Sequence, residues 1–413
     1  MSYRLRPCAR CDRIGVVALD PVRLAEEQLA RDRARAKRFP WLGTRKLDRM
    51  ARSPLAYLRG AAPLFYAALR EEPTLGVTGR RELRGEGMLV GDLHLENFGA
   101  YRSDDNEVSF DLNDFDEAAI GPFALDLLRL VTSLILGGRT MGFDGRRALE
   151  LARGLVDAYV NVAMSDGRVP PPPLAVRALT ERVAARTRRE LLDARTEVRR
   201  GRRRFVRGER YVDLPRTLAD RASRAFAGYA RGLIALGRAD EAALEIDDLA
   251  FRIAGTGSLG ALRVAVLTRG KGARDRAWIF DMKEETAPAA AELLGASCTG
   301  GKRPAARVIA AVEACLGRVP KHAGIAALGA SSLLVRRLAP QEDKLDLRRI
   351  APEELEPLAR HLGGLVGRAH RRGATSLPRA AWSTGERESL LERATRLAGL
   401  HEAAYLAMCR RLS

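Results

Sequence analysis

The sequence predicts an α+β protein built from two packed parts, and three observations carry that prediction. At 413 residues the chain is longer than the roughly 250–300 over which a single hydrophobic core keeps growing. Apolar residues recur on near-helical spacings among charges over both ends of the chain. Strand-like texture is concentrated in the middle, at 251–340, where short apolar runs alternate with Gly-rich and charged turns. The expected division is a helical part over 1–250, a β-rich part over 251–340, and a helical segment over 341–413 that packs back on the first part.

Taken in order, residues 19–72 read as helical from Leu24, Leu29, Met50, Leu55, Leu58 and Leu64. The texture changes at Gly87. Met88 to Val90 and Val108 to Phe110 are short apolar runs bounded by Gly, Asp and Asn, as expected of strands leading into functional loops. Pro122 opens a helix whose apolar stretch, Leu125 to Leu136, is dense enough to be buried on every side. From 142 to 246 several helices are expected, broken at Pro170 to Pro173. The Arg-rich stretch Arg182 to Arg210 reads as a solvated helix face or a loop, with a phosphate or nucleic-acid contact as the alternative. Strands follow at Leu262–Leu267, Trp278–Met282 and Ser332–Leu338, with helices at 304–316, 353–371 and 384–411.

Hydrophobic residues make up 46% and charged residues 30%, and no apolar run approaches the roughly 20 residues that span a bilayer, so no membrane partner is expected. The basic N-terminus lacks the apolar stretch of a signal peptide, which predicts a cytoplasmic location. Five cysteines without framework spacing suit a reducing compartment, and the Cys8-x-x-Cys11 pair has no second pair to complete a zinc site. A net charge of +19 suits a polyanionic partner such as nucleic acid, an acidic lipid surface or a nucleotide. The excess is almost wholly Arg, with only seven Lys, and aromatics are only 5%, which leaves little to stack on bases.

The strongest chemical signal is GDLHLENFG at 91–99 followed by FDLNDFDEA at 110–118. Moving a phosphoryl group from ATP needs a carboxylate to orient or deprotonate the acceptor, and hard oxygen ligands that hold a divalent metal on the phosphates. Asp92 supplies the first, and Asn97, Asp114 and Asp116 supply the second. Acidic turns between strands are the plain alternative, since Asp, Asn and Gly are turn formers. Five residues placed across two loops argue against it. His94 either hydrogen-bonds the backbone of its loop or moves protons.

The second signal is GTGSLG at 255–260, set between strand-like runs and followed by a strand that reaches Lys283. With no long helix opening after it, a dinucleotide-binding turn fits poorly. Gly255, Gly257, Ser258 and Gly260 would instead cover ATP phosphates, with Lys283 on them; a plain hairpin and a surface Lys are the alternative. Glu292 or Glu313, on expected helices, would hold Lys283. Arg59 would place its guanidinium either on phosphate oxygens or against a carboxylate of the acidic loops.

These residues resemble the loops of aminoglycoside and choline phosphotransferases and, more distantly, of protein kinases. The match runs through Gly91, Asp92, His94 and Asn97, then Asp114, Phe115 and Asp116, and continues through Gly121-Pro122 and Asp126-Leu127. The resemblance implies ATP with Mg2+ or Mn2+, Asp92 as base, transfer to a hydroxyl of a small molecule or protein, and a structural Asp126. It leaves nucleotidyl transfer and a non-catalytic ATP- or nucleic-acid-binding role as alternatives. Because the catalytic loop precedes the Gly-rich loop here, it implies a kinase-like two-lobed fold that is circularly permuted. Over residues 18–375 the chain also resembles the family called domain of unknown function 2252. That resemblance runs through Asp20-Pro21, Arg49-Met50, Ser53-Pro54, Leu58 to Ala61, both acidic loops, GTGSLG and Lys283-Glu284. Two departures are Glu285, where the family has a small residue, and the lack of a Gly-Gln-Arg run at 304–316.

Overall fold

The computed structural model describes residues 19–412 except 77–81, 104–105, 139, 258, 272–275, 318–321 and 341. Cys8, Cys11 and Ser258 therefore lie outside the described residues. The protein is α+β, and several of its helices start where the sequence supplies a cap. Pro21–Ala36 begins behind Asp20, whose carboxylate accepts from the Val22 N–H at 2.9 Å, and Pro54–Gly60 begins behind Ser53, whose hydroxyl accepts from Ala56 at 3.1 Å.

The helix Ala124–Gly137 is buried at every position but Ile135, as its apolar density requires. It starts later than Pro122, which closes a strand, Ala119–Pro122. Helix Leu355–Arg372 lies against Gly145–Met164 along a seam of glycines; a Cβ at Gly363 would stand 2.1 Å from the Leu155 carbonyl.

Six antiparallel strands form the largest sheet, in the order Gly324–Leu328, Ser331–Arg337, Trp278–Glu285, Arg263–Thr268, Ile246–Arg252, Tyr211–Val212. Its buried face packs Phe251, Trp278 and Phe280 in one core with Phe226 of helix Arg216–Ala235. Two small sheets carry the acidic loops. In one, Glu86–Leu89 pairs with Ala119–Pro122 and Ala374–Ser376; in the other, Phe98–Arg102 pairs with Val108–Leu112 and Glu342–Lys344. A separate core fills the space between these sheets and the long helices.

The Arg-rich segment departs from expectation. It folds into a short helix, Arg188–Asp193, and a hairpin of Thr196–Arg199 with Arg202–Phe205. Strand alternation turns Arg203 and Phe205 inward while Arg202 and Arg204 face solvent. Arg203 donates to the Thr196 hydroxyl at 2.9 Å and stands 3.5 Å from the Asp193 carboxylate. Among the described residues no helix is long and apolar enough to cross a membrane.

Candidate functional site

The acidic wall is fixed from behind by one buried carboxylate. Asp126 accepts from the backbone N–H of Val90 at 2.7 Å and of Gly91 at 2.9 Å, and stands 3.1 Å from Nε2 of His370. The other ring nitrogen of His370 lies 3.1 Å from the Tyr159 hydroxyl, and the ring stacks on Phe123 at 4.4 Å. Gly91 has φ +86°, and a Cβ there would meet the Glu117 carbonyl at 1.8 Å, so only glycine fits between the two acidic loops. Tyr66 donates to the Gly91 carbonyl. The Gly91–Asp92 backbone is thus specified by groups from three helices.

Asp92 projects from that backbone into a cleft. Oδ1 is held by the buried Arg129, whose Nε donates at 2.7 Å and whose Nη2 also donates to the Leu58 carbonyl at 2.8 Å. Oδ2 faces the Gly-rich turn, and the carboxylate keeps 19% of its side chain accessible. Loss of water outweighs the Arg129 guanidinium and, with Glu117 and Asp114 nearby, pushes the Asp92 carboxyl up to about 7.

His94 and Asn97 are engaged within their own loop. His94 Nδ1 accepts from the Glu96 N–H at 3.1 Å, and Asn97 Oδ1 accepts from the His94 N–H at 2.8 Å, a reciprocal cap on the 3-10 turn Leu95–Asn97. Burial, helped by Arg59, Lys344 and Arg129, holds His94 well below the ordinary histidine range. A neutral ring that accepts at Nδ1 carries its proton on Nε2. His94 lines the cleft; Asn97, buried in its cap, does not. Asn113 does, and its buried Oδ1 has no partner. Gly99 leaves the space that the Asn113 amide fills.

The opposite wall is the edge of the large sheet. Gly255 has φ +76°, and its carbonyl accepts from Arg49. A Cβ at Gly257 would stand 3.2 Å from the Arg59 carbonyl and 3.9 Å from Asp92 Oδ2, so the turn lies directly over the acidic loop. Gly260 does not line the cleft but packs against Arg35. Lys283 pairs with Asp116 and stands 3.6 Å from Glu285, which shares its face of the strand. Burial pushes the Glu285 carboxyl up to about 7 against the pull of Lys283, and Glu285 Oε1 has no hydrogen-bond partner.

The expected partners of Lys283 do not reach it. Glu292 pairs with Arg31 and Arg70 because its helix, Ala291–Leu294, is a single short turn packed beside Ala62–Glu71, which carries Arg70, and within reach of Arg31 on Pro21–Ala36. Glu313 is exposed, off the face of Pro304–Cys315 that buries Ala305, Arg307, Val308, Ala311 and Cys315. That helix instead sends in Arg307, whose Nη2 donates to the carbonyls of Asp116 at 2.8 Å and Thr286 at 3.0 Å. Arg59 pairs with Glu96 at 2.6 Å, and Lys344 donates to the Glu96 carbonyl at 2.7 Å.

Asp92, His94, Asp114, Asp116, Arg59, Gly255, Gly257 and Lys283 therefore line one cleft. It comprises two cavities of about 120 and 90 Å³ that share Asp114, Asp116, Gly255 and Lys283, the larger lined on its apolar side by Val308, Val312, Leu316 and Leu334. Small-molecule sites usually run from roughly 300 Å³ upward, so a nucleotide needs the Lys283–Asp116 pair to part. Among the described residues no group of three or more His, Cys, Asp or Glu side chains is arranged to hold a metal. Asp114 and Asp116 offer the one or two carboxylates that suit Mg2+ when phosphate and water complete its shell.

Sequence reasoning missed Arg129, Arg307, Lys344, Asn113 and the role of Glu285. A signal existed for Arg129, the one cation inside the apolar run 125–136. None existed for Lys344, which reaches the site only through strand pairing with Gly99. Comparison with curated proteins gives no match, and comparison with solved structures gives none. A family model described as "uncharacterized protein conserved in bacteria" (DUF2252) matches residues 38–411. The chain belongs to the DUF2252 family.

Proposed function

We propose that this protein is an ATP- and Mg2+-dependent phosphotransferase with a circularly permuted, kinase-like two-lobed architecture, acting on a hydroxyl of a small molecule or a protein. The observation that carries this reading is the convergence of Asp92, Asp114, Asp116, Lys283 and the Gly255–Gly257 turn on one cleft from segments remote in sequence. Strand, Gly-rich turn, strand and Lys-bearing strand follow one another as an ATP-covering lobe requires. The Asp126–His370 contact joins the acidic wall to the helix that precedes it in an unpermuted order.

Bound Mg2+-ATP would supply the phosphoryl group with its charge neutralised. The Lys283 ammonium now rests on the Asp116 carboxylate, which occupies the place a phosphate oxygen would take. With that pair parted, Asp116 together with Asp114 would hold the metal, and Lys283 would hold phosphate. Asp92, raised to about 7 with Oδ2 open to the cleft, accepts the hydroxyl proton at neutral pH. Arg129 holds the carboxylate in place through Oδ1.

Calorimetry of ATP binding with and without Mg2+ tests the division of labour. Asp114→Asn should abolish the metal dependence and weaken ATP by about tenfold or more, while Asp92→Asn should leave affinity within about threefold and slow transfer by roughly 10²–10⁴. Equal loss in both variants would make Asp92 structural, and a folded wild type without metal-dependent nucleotide binding would refute the proposal. Label from the γ-phosphate on the product supports phosphoryl transfer; label retained from the α-phosphate would show nucleotidyl transfer instead.

A further inference from the structure

Away from the cleft, a second concavity of about 190 Å³ is lined by Arg102, Arg186, Arg188 and Arg337 together with Asn106 and Thr187, and by no carboxylate among the described residues. Three separate parts of the fold bring these groups together. Arg102 ends the strand Phe98–Arg102, Arg188 begins the helix Arg188–Asp193, and Arg337 ends the strand Ser331–Arg337. Arg186 is committed to Asp343 and to the Glu342 carbonyl at 3.2 Å. Among the described residues Arg102, Arg188 and Arg337 form no ion pair, and Nε of Arg102 is buried without a hydrogen-bond partner.

That arrangement is costly as it stands. The buried Arg129 and Arg263 each meet a carboxylate, whereas these three line one concavity together. Arg337 is held below the ordinary arginine range by burial and by Arg188, and Arg188 by burial, Arg276 and Arg102. Fixed cations that lack counter-charge in a concave site are what a compact oxyanion satisfies, and planar guanidinium forks match tetrahedral oxyanions in geometry. The volume admits a phosphate group with a few attached atoms and lies below the roughly 300 Å³ at which most small-molecule sites begin.

We infer that Arg102, Arg188 and Arg337 form an anion site for inorganic phosphate or the phosphate group of a small monoester, distinct from the Asp92 cleft. The site carries its own reporter, because the Arg337 guanidinium lies 4.3 Å from the centroid of the Trp278 ring. An anion that draws on Arg337 changes the environment of that indole.

The full-length chain is titrated with inorganic phosphate and, separately, with glycerol 3-phosphate, holding ionic strength constant with sodium chloride and following tryptophan fluorescence and melting temperature. A saturable fluorescence change is expected, lost in Trp278→Phe. Its midpoint should shift at least tenfold to weaker binding in Arg188→Gln and in Arg102→Gln, and less than twofold in Arg146→Gln, whose side chain pairs with Glu150 outside the pocket. Arg188→Glu should raise the melting temperature without phosphate, because it relieves repulsion between the cations, and should remove the further rise that phosphate gives the wild type. Binding of either ligand supports the site; a preference for one of them identifies the source of the phosphate. Equal midpoints in all variants, a matching response to chloride alone, or a response abolished by Lys283→Met and untouched by Arg188→Gln would overturn it.

Discussion

The two walls of the cleft are built on different principles. The acidic wall, Gly91 to Glu117, takes its shape from backbone N–H groups that converge on Asp126, a carboxylate with no exposure and every nearby donor satisfied. The opposite wall, Gly255 to Glu285, meets it through a side-chain ion pair, Lys283 on Asp116, at the rim of the space a ligand would enter. A wall set by backbone hydrogen bonds holds its geometry whether or not a ligand is present, whereas a Lys–carboxylate pair can exchange its partner. Asp126 and Asp92 show the same contrast within one loop. Asp126 is saturated and builds; Asp92 is pinned at Oδ1 by Arg129, keeps Oδ2 open, and is pushed up to about 7.

The largest effect that sharpens this contrast is expected at Asp126. Replacing it with Ala strands two buried backbone N–H groups and the His370 ring at once. Removing one partner of such a buried charged network costs about 3–5 kcal/mol. Urea denaturation of Asp126→Ala should show a loss of that order. A loss below about 1 kcal/mol would mean the acidic wall does not depend on the buried carboxylate.

What the sequence made legible follows the same division. The acidic loops could be read because Gly91, Asp92, Asp114 and Asp116 owe their positions to local backbone geometry and short strands, which leave fixed spacings in sequence. The strands Arg263–Thr268, Trp278–Glu285 and Ser331–Arg337 were legible as short apolar runs between Gly-rich and charged turns. The partner of Lys283 was not. Asp116 meets it from the opposite wall, Glu285 stands two residues away on its own strand, and the helices offered in their place turn their glutamates to Arg31 and to solvent. The hairpin at 196–205 was hidden because inward-facing Arg203 reads as a surface residue until its hydrogen bond to Thr196 is known. Side-chain pairings across long sequence separations leave no periodic trace, and the Arg102–Arg188–Arg337 cluster is a case in point.

A middle-sized effect is expected at Glu285. Its carboxyl is raised to about 7 by burial, so the folded state binds the proton more tightly than the unfolded chain does. The stability this contributes is complete below the ordinary carboxylate range and lost as pH rises through about 7. Glu285→Gln mimics the protonated form. Melts at pH 4 and pH 8 should therefore show no difference at pH 4 and a gain of about 1–3 kcal/mol for the variant at pH 8. A variant that is less stable at pH 8 would show that the Lys283–Glu285 contact outweighs desolvation, and the second wall would then rest on two ion pairs.

The smallest change in stability is expected where the acidic wall itself uses an exchangeable pair, Arg59 with Glu96 at 2.6 Å, both partly exposed and Arg59 lining the cleft. Solvent screening limits such a pair to about 0–1 kcal/mol, so Arg59→Gln and Glu96→Gln should each leave the urea midpoint nearly unchanged. Nucleotide affinity separates the two roles open to Arg59. If its guanidinium leaves Glu96 for a phosphate oxygen, as Lys283 leaves Asp116, Arg59→Gln weakens ATP while Glu96→Gln strengthens it by releasing the cation. A shift of about threefold or more in opposite directions is expected, since a charge-assisted hydrogen bond to phosphate exceeds a screened pair in worth. If neither variant moves ATP affinity, Arg59 belongs with Asp126 among the residues that only build the wall, and exchange is confined to the Lys283 side of the cleft.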